Sequence, residues 1–383
     1  MILPPQFSAD FQTIYEALKP LTNQAYFVGG AVRDSLLGRE ICDLDIEVYG
    51  IAPDRFAKLM GELGAHGVGQ SFFVYKLGKF DLSLPRRELK LGVGHRGFEV
   101  EWENDPRKAS ARRDFTINAM MINIFTLELF DFHGGRDDLA AKRIRHIDDR
   151  AFIEDSLRVL RAARFAARFG FTIAEQTVAL CQTLAIDDLS KERIWGECEK
   201  IFASPEAVKG LYFMIKLGVA RQLWGRDDAP LSLFRALKRV KLGYADRTVG
   251  FLYALRCSWH LPIAQLCGSV GAPKAIARSL RAMPSAPKRV SDRFLIAVSL
   301  KMALKNWAGT TILGLENEAK RLGVFDRAFE PIRAKELFEE GYTQGYELGR
   351  ELRARTLAKT KEYGKSLSTA DRNRRSHGTN SRD

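Results

Sequence analysis

The chain has 383 residues, 46% of them hydrophobic and 28% charged, with a formal net charge of +13. That length exceeds one comfortable core and predicts at least two domains, while the basic balance asks for a polyanionic partner without separating RNA from DNA or an anionic membrane. The 5 cysteines are scattered and form no C-x-x-C pair, which argues against a disulfide framework or a zinc site. No apolar run is long enough for a bilayer span and the opening MILPPQFSADFQ lacks a signal pattern, so the expectation is a soluble, untargeted, cytoplasmic protein.

Residues 11–21 carry a short amphipathic pattern, which predicts a helix over one face of a sheet. Tyr26 to Val28 then reads as a strand breaking at Gly29-Gly30. A short helix from about Ala31, a turn at Gly38 and a second strand follow, with Asp43, Asp45 and Glu47 at alternate positions. Residues two apart on a strand share a face, so Leu44, Ile46 and Val48 can pack inward while Asp43 and Asp45 project together. Two carboxylates that close repel unless a cation sits between them, and hard oxygen ligands suit Mg²⁺. Gly29 and Gly30 would let backbone N–H groups approach a triphosphate, with Arg33 adding a charged fork.

After a turn at residues 50–53, residues 54–60 have helical spacing. Phe72 to Leu77 and Phe80 to Leu84 read as a hairpin about Gly78-Lys79. Asp81 on its second strand is a candidate third carboxylate that would help deprotonate or orient an attacking hydroxyl; an ordinary surface aspartate is the competing reading. Residues 85–111 are rich in glycine and charge, and predict a mobile functional loop with a return strand, in which His95 and Arg96 would contact phosphate or RNA. Arg112 and Arg113 precede Asp114, a predicted helix cap with Asn118 one turn on, and paired arginines before a helix make an anion site. A strand over residues 121–125 follows.

Residues 152–171, FIEDSLRVLRAARFAARFGF, predict one helix ended by Gly170. Asp155, Arg158, Arg161 and Arg164 recur along one stripe, with Leu157, Leu160 and Phe165 nearer the opposite side. Cytosine and adenine share an exocyclic amino donor beside a ring acceptor, the reverse of uracil and guanine. A carboxylate next to a guanidinium therefore reads C and A while refusing U and G. Asp155 and Arg158 supply such a pair. A further helix opens at a Ser190 cap, with Arg193 and Glu197 one turn apart in a structural role. Helical periodicity continues to about Arg355, with basic clusters at residues 235–241, 274–281 and 288–293 suited to a nucleic-acid backbone. From about Thr356 the chain is polar and basic, and disorder is predicted.

Together, GGAVRDSLLGR followed by DLDIEV, then RRDFTINAM and EDSLRVLRAARFAARFGF, resemble the motifs of the polymerase-β-type nucleotidyltransferase superfamily. More narrowly they resemble the class II tRNA nucleotidyltransferases (CCA-adding enzymes) and their bacterial poly(A) polymerase relatives. The motif-level resemblance covers about the first half of the chain. It implies an α+β fold, with a small mixed β-sheet nucleotidyltransferase (palm) head over residues 1–147 and an all-α remainder. The remainder divides into a nucleotide-selecting neck (148–205), a tRNA-binding body and tail (206–355) and a basic terminal stretch (356–383).

The same resemblance implies template-independent addition of C, C and A to a tRNA 3′ end from CTP and ATP, with release of pyrophosphate. Asp43 and Asp45 would hold two Mg²⁺ ions with Asp81 nearby, and Gly30, Arg33 and Arg113 would lie near the nucleotide. Asp155 and Arg158 would read the base, Glu154 would orient Arg158, and Arg161 and Arg164 would face phosphates or ribose. The partner is the tRNA acceptor arm rather than DNA or a membrane. An A-adding or CC-adding specialist and a non-catalytic RNA-binding protein are the alternatives. Residues 69–77, GQSFFVYKL, resemble the tRNA enzymes more than the poly(A) polymerases, and the long loop leans towards A addition.

Overall fold

The computed structural model describes residues 8–67, 74–90, 98–243, 246–287, 289–326, 328–330, 332–343, 345–352, 354–356, 358–359 and 362–363. The chain divides into two compact units, residues 1–227 and 228–383.

The first unit is built on a seven-stranded mixed sheet. Its strands are β1 (Ala25–Val28), β2 (Leu44–Val48), β3 (His66–Gly67), β4 (Val74–Leu77), β5 (Phe80–Ser83), β8 (Met121–Asn123) and β9 (Leu129–Phe130), in spatial order β3-β4-β5-β2-β1-β8-β9. Between β5 and β8 runs a separate antiparallel hairpin of β6 (Arg86–Lys90) and β7 (Phe98–Trp102). The predicted loop is thus a two-stranded arm whose tip, with His95 and Arg96, lies outside the described residues, as do residues 69–73 of the GQSFFVYKL segment.

Alternation decides the sheet's two faces. Leu44, Ile46, Val48, Phe80 and Leu82 are fully buried on one of them. Helix α1 (Ser8–Leu18) covers that side, with Phe11 packed on Phe27 and Phe80 at ring separations of 5.4 and 6.3 Å. β2 pairs antiparallel with β1 and parallel with β5, so Val28, Asp45 and Asp81 stand in one row across three strands. Helix α2 (Gly30–Leu36) joins β1 to its antiparallel neighbour β2, and α3 (Pro53–Glu62) follows β2. Helix α4 (Pro106–Ala111) leads to Arg112 and Arg113. The helix predicted after Asp114 is only a single 3₁₀ turn, Thr116–Asn118, because the Asp114 side chain takes the Phe115 N–H and the Asn118 amide and closes the turn locally.

After α5 (Gly135–Ala140) the predicted long helix is two. α6 (Asp149–Ile153) stops, and α7 (Leu157–Phe169) begins after a break at residues 154–156. The break has local causes: Asp155 accepts from the Leu157 N–H, and the Ser156 hydroxyl reaches Asp188. Gly170 ends α7 at φ 72°, as its composition predicts. Helices α8 (Glu175–Gln182), α9 (Lys191–Ala203), α10 (Ala207–Lys216) and α11 (Val219–Trp224) complete the unit, with Ser190 capping α9. α10 lies close on α7 because Gly210 has no side chain; a Cβ there would stand 2.8 Å from Ala167 Cβ and 2.7 Å from Ile201 Cγ2.

The regular elements of the second unit, among its described residues, are all helices. It holds α12 (Leu231–Gly243), α13 (Arg247–Trp259), α14 (Ile263–Val270), α15 (Lys274–Ala282), α16 (Asp292–Ser299), α17 (Ala308–Leu313), α18 (Glu316–Arg321) and α19 (Ala334–Glu339). Its centre is the buried Trp307, whose indole N–H donates to the Tyr253 hydroxyl and the Pro284 carbonyl. α15 is sharply two-sided: Ala277 and Leu280 are buried while Lys274, Arg278 and Arg281 are exposed. The stretch expected to be disordered from Thr356 begins ordered, since Thr356 is buried and Tyr363 donates to the Leu322 carbonyl at 2.6 Å; residues 364–383 lie outside the described set.

Candidate active site

A cleft of about 550 Å³ opens in the first unit between the Gly29-Gly30 turn and α7. Gly29, Gly30, Arg33, Asp45, Arg113, Asp155, Arg158, Arg161, Arg164 and Arg193 line it, so one cavity gathers residues from five separate segments. Asp43, Asp81 and Glu154 are not among its walls.

At one end stand the carboxylates. Asp45 and Asp81 are register partners on parallel strands, and Asp43 is exposed on the approach to β2. Asp45 is open to solvent, yet the protein around it strips part of its hydration. Burial raises its carboxyl first, then the like charges of Asp81, Glu47 and Asp43, against which Arg113 works. Crowded oxygen donors whose like charge Arg113 and Lys76 only partly offset fit a divalent cation, although no three His, Cys, Asp or Glu side chains among the described residues already converge on one point. Asp81 is also held by Lys76 at 3.6 Å, a surface pair of small energetic weight.

Gly29 has φ 68°, a conformation that a side chain resists, and a Cβ there would lie 3.1 Å from Arg113 Nη1 and 3.5 Å from Asp45 Oδ2. The backbone therefore runs directly beside an acid and a guanidinium. Sequence reasoning gave Glu47 no task, but it is the buried hub behind them. Its Oε1 accepts from Arg113 Nη2 at 2.7 Å and Arg112 Nη2 at 3.0 Å, and its Oε2 accepts from the Tyr49 hydroxyl at 2.9 Å. Burial alone would raise the Glu47 carboxyl, but the two arginines hold it below its ordinary value.

Arg33 is not an open fork. It is 3% exposed, bonded to Asp34 and Asn118, and set over the rings of Phe165 and Phe169 at 5.3 and 4.7 Å. It forms a wall of the cleft and ties α2 to α7. Phe165 faces this cluster rather than the opposite side, since Arg164 and Arg161 also lie over its ring, at 4.3 and 5.6 Å. A phenylalanine among arginines reads as core by hydropathy, and only cation stacking turns it toward the charges.

At the other end of the cleft Asp155 is anchored by Arg193 Nη2, at 3.0 and 3.2 Å to its two oxygens. Arg158 donates to the carbonyls of Ala151 and Arg112, the latter at 2.7 Å. Glu154, expected to orient Arg158, is exposed and lines a neighbouring cleft together with Arg112, Arg150 and Arg158 itself, where its charge acts on that guanidinium. Arg161 pairs with the buried Asp114 at 2.5 Å, and Arg164 with Glu197 at 2.7 Å. Burial would raise Asp114, yet Arg161, Asn118 and the Phe115 N–H hold its carboxyl low. Arg161 and Arg164 still line the cavity, as does Asp114. Arg193 and Glu197 of α9 thus brace Asp155 and Arg164, the bracing role expected of that helix, though Arg193 also lines the cleft.

Residues 25–145 match the family described as the poly A polymerase head domain. The sheet-bearing part of the chain is thus similar to that family. Residues 170–224 match a second one, the probable RNA and SrmB-binding site of polymerase A. The multifunctional CCA protein of Haemophilus ducreyi is 44% identical over 188 residues, covering 46% of this chain and 44% of that protein. That of Halorhodospira halophila is 39% identical over 221 residues, covering 54% and 51%. The matched region therefore spans about half the length of these curated relatives. Among solved structures, the Thermotoga maritima CCA-adding enzyme complexed with tRNA superposes with a TM-score of 0.68 at 23% identity, over 96% of both chains. The Bacillus stearothermophilus CCA-adding enzyme in complex with CTP gives 0.64 at 22%, over 98% of this chain and 100% of that one. At such identities the likeness is one of fold: a mixed-sheet head followed by helices.

Proposed function

We propose that the protein is a template-independent tRNA nucleotidyltransferase that adds C, C and A to tRNA 3′ ends from CTP and ATP, releasing pyrophosphate. The observation that carries this reading is the single cleft that joins the Asp45–Gly29–Arg113 end to the Asp155–Arg158 end. Transfer chemistry and base reading require both ends on one nucleotide. The similarity to multifunctional CCA proteins and the fold shared with CCA-adding enzymes support it.

In this reading Asp43 and Asp45 hold Mg²⁺, with Asp81 alongside. Bound there, the metal would offset triphosphate charge and favour the ionised 3′-hydroxyl. Gly29 and Gly30 let the backbone approach the phosphates, and Arg113 adds positive charge beside them. Asp155 accepts from the N4 or N6 amine while Arg158 donates to the N3 or N1 acceptor, so the protein itself takes the place of a template. Arg161 and Arg164, oriented by Asp114 and Glu197, border the phosphates or ribose. Residues 1–147 act as head, 148–205 as neck and 206–355 as body and tail. In that last region the exposed Lys274, Arg278 and Arg281 suit the acceptor-arm backbone.

The test is incubation with tRNA lacking its last one, two or three nucleotides and labelled CTP or ATP, with Asp45→Ala as control. Stepwise completion to CCA, abolished in the control, is the expected result. Addition of only A or only CC would make the protein a specialist, and no addition at all would leave an RNA-binding scaffold.

A further inference from the structure

Arg113 has two acids within its reach. Glu47 Oε1 binds its Nη2 at 2.7 Å, and Asp45 is its other carboxylate neighbour: Arg113 Nη1 and Asp45 Oδ2 both lie within 3.5 Å of the point a Gly29 Cβ would occupy. Asp45 is also the acid that the proposed function assigns to metal, and a guanidinium and a metal ion compete for the same oxygens. Glu47 is 3% exposed, its two oxygens are committed to Arg112, Arg113 and Tyr49, and it has no opening to a substrate. Its position two residues after Asp45 places both acids on one strand face, with Arg113 bonded to Glu47 and standing beside Asp45.

We infer that Glu47 is a positioning residue that holds the Arg113 guanidinium back from Asp45, leaving the Asp45 carboxylate available to a divalent cation. The inference rests on the nucleotidyl-transfer reading. The physical reason is an exchange of partners. A buried guanidinium deprived of its carboxylate moves to the nearest remaining one, because an unpaired buried charge is costly. Without Glu47 that nearest acid is Asp45, and the charge that should meet the metal is neutralised by the protein. Tyr49 supports the arrangement by fixing the second oxygen of Glu47, so that the first faces the arginines.

The experiment is Mn²⁺ binding to the full chain without nucleotide, so that loss of the Arg113 charge beside the phosphates does not enter, read by electron paramagnetic resonance and calorimetry. The proteins are the wild type, Glu47→Gln, Arg113→Ala and the Glu47→Gln/Arg113→Ala double variant. Glu47→Gln should weaken Mn²⁺ binding about tenfold, the scale of a single charge-assisted interaction at the metal-binding carboxylate. The double variant should recover most of that affinity, because the competitor is gone. Glu47→Asp, which keeps the charge but shortens the reach, should fall between wild type and Glu47→Gln and serves if Glu47→Gln does not fold. Unchanged Mn²⁺ binding in a folded Glu47 variant overturns the inference alone. A double variant as weak as Glu47→Gln also overturns it, since the weakening would then be general damage. A wild type that takes up no Mn²⁺, even when CTP is added, overturns the nucleotidyl-transfer reading as well.

Discussion

Arg193 holds Asp155 by both carboxylate oxygens, at 3.0 and 3.2 Å, although the two residues belong to different segments of the helical region. Both side chains are about one third exposed (34% each), so the pair contributes little to folding, on the order of 0–1 kcal/mol after solvent screening. Its consequence lies in geometry: the acid proposed to meet the base amine is held in one orientation. Arg193→Ala should therefore leave the thermal midpoint within a few degrees of wild type while raising KM for CTP and ATP together. Steady-state kinetics beside a melting curve checks it; equal loss of stability and activity would mean that Arg193 only holds the helices together.

Gly29→Ala should be costly in two ways. The positive φ of 68° adds about 1–2 kcal/mol of backbone strain, and the new methyl presses on Arg113 Nη1 at 3.1 Å. Loss of nucleotide addition in a protein that still folds is the expected outcome, measured by single-turnover incorporation and urea unfolding. Gly38→Ala, also at positive φ but with nothing within 4 Å of the new Cβ, isolates the backbone effect and should retain activity.

Much of this site was legible in the sequence, for identifiable reasons. Period-two alternation placed Leu44, Ile46 and Val48 in the core and Asp45 on the open face. The glycine pair before a helix and the glycine ending α7 were readable as well, because their conformations are local properties. What escaped depends on partners distant in sequence. The break at residues 154–156 arises because Asp155 accepts from the Leu157 N–H and Ser156 reaches Asp188. Phe165 looked like ordinary core until the arginines stacked on it. Arg193 looked like half of a local pair with Glu197, yet each reaches across to α7 or the turn before it. Glu47 alternates with Asp43 and Asp45 and could have been singled out on that pattern, but only the tertiary fold brings Arg112 and Arg113 to it.

The second unit yields a prediction about salt. On α15 Lys274, Arg278 and Arg281 share the exposed face, opposite Ala277 and Leu280. Replacing all three by alanine should weaken tRNA binding and flatten its dependence on salt, by roughly one unit of slope for each phosphate no longer neutralised. Equilibrium binding from low to moderate salt reads this directly. KM for CTP should not change, since these residues lie outside the cleft. An unaltered slope would make α15 an ordinary solvated helix.

The central claim is that Asp155 and Arg158 stand in for a template, and Asp155→Ala tests it on one truncated tRNA with CTP, ATP and UTP offered separately. The wild type should use CTP and ATP and refuse UTP, whose O4 would face a carboxylate and whose N3–H a guanidinium. Each such mismatch in a partly dry pocket is worth on the order of 1–3 kcal/mol. The variant should lose CTP and ATP use together and its preference over UTP should narrow, because one of the two mismatches has been removed. Loss of only one of CTP and ATP, or UTP rejection as strong as before, would contradict it.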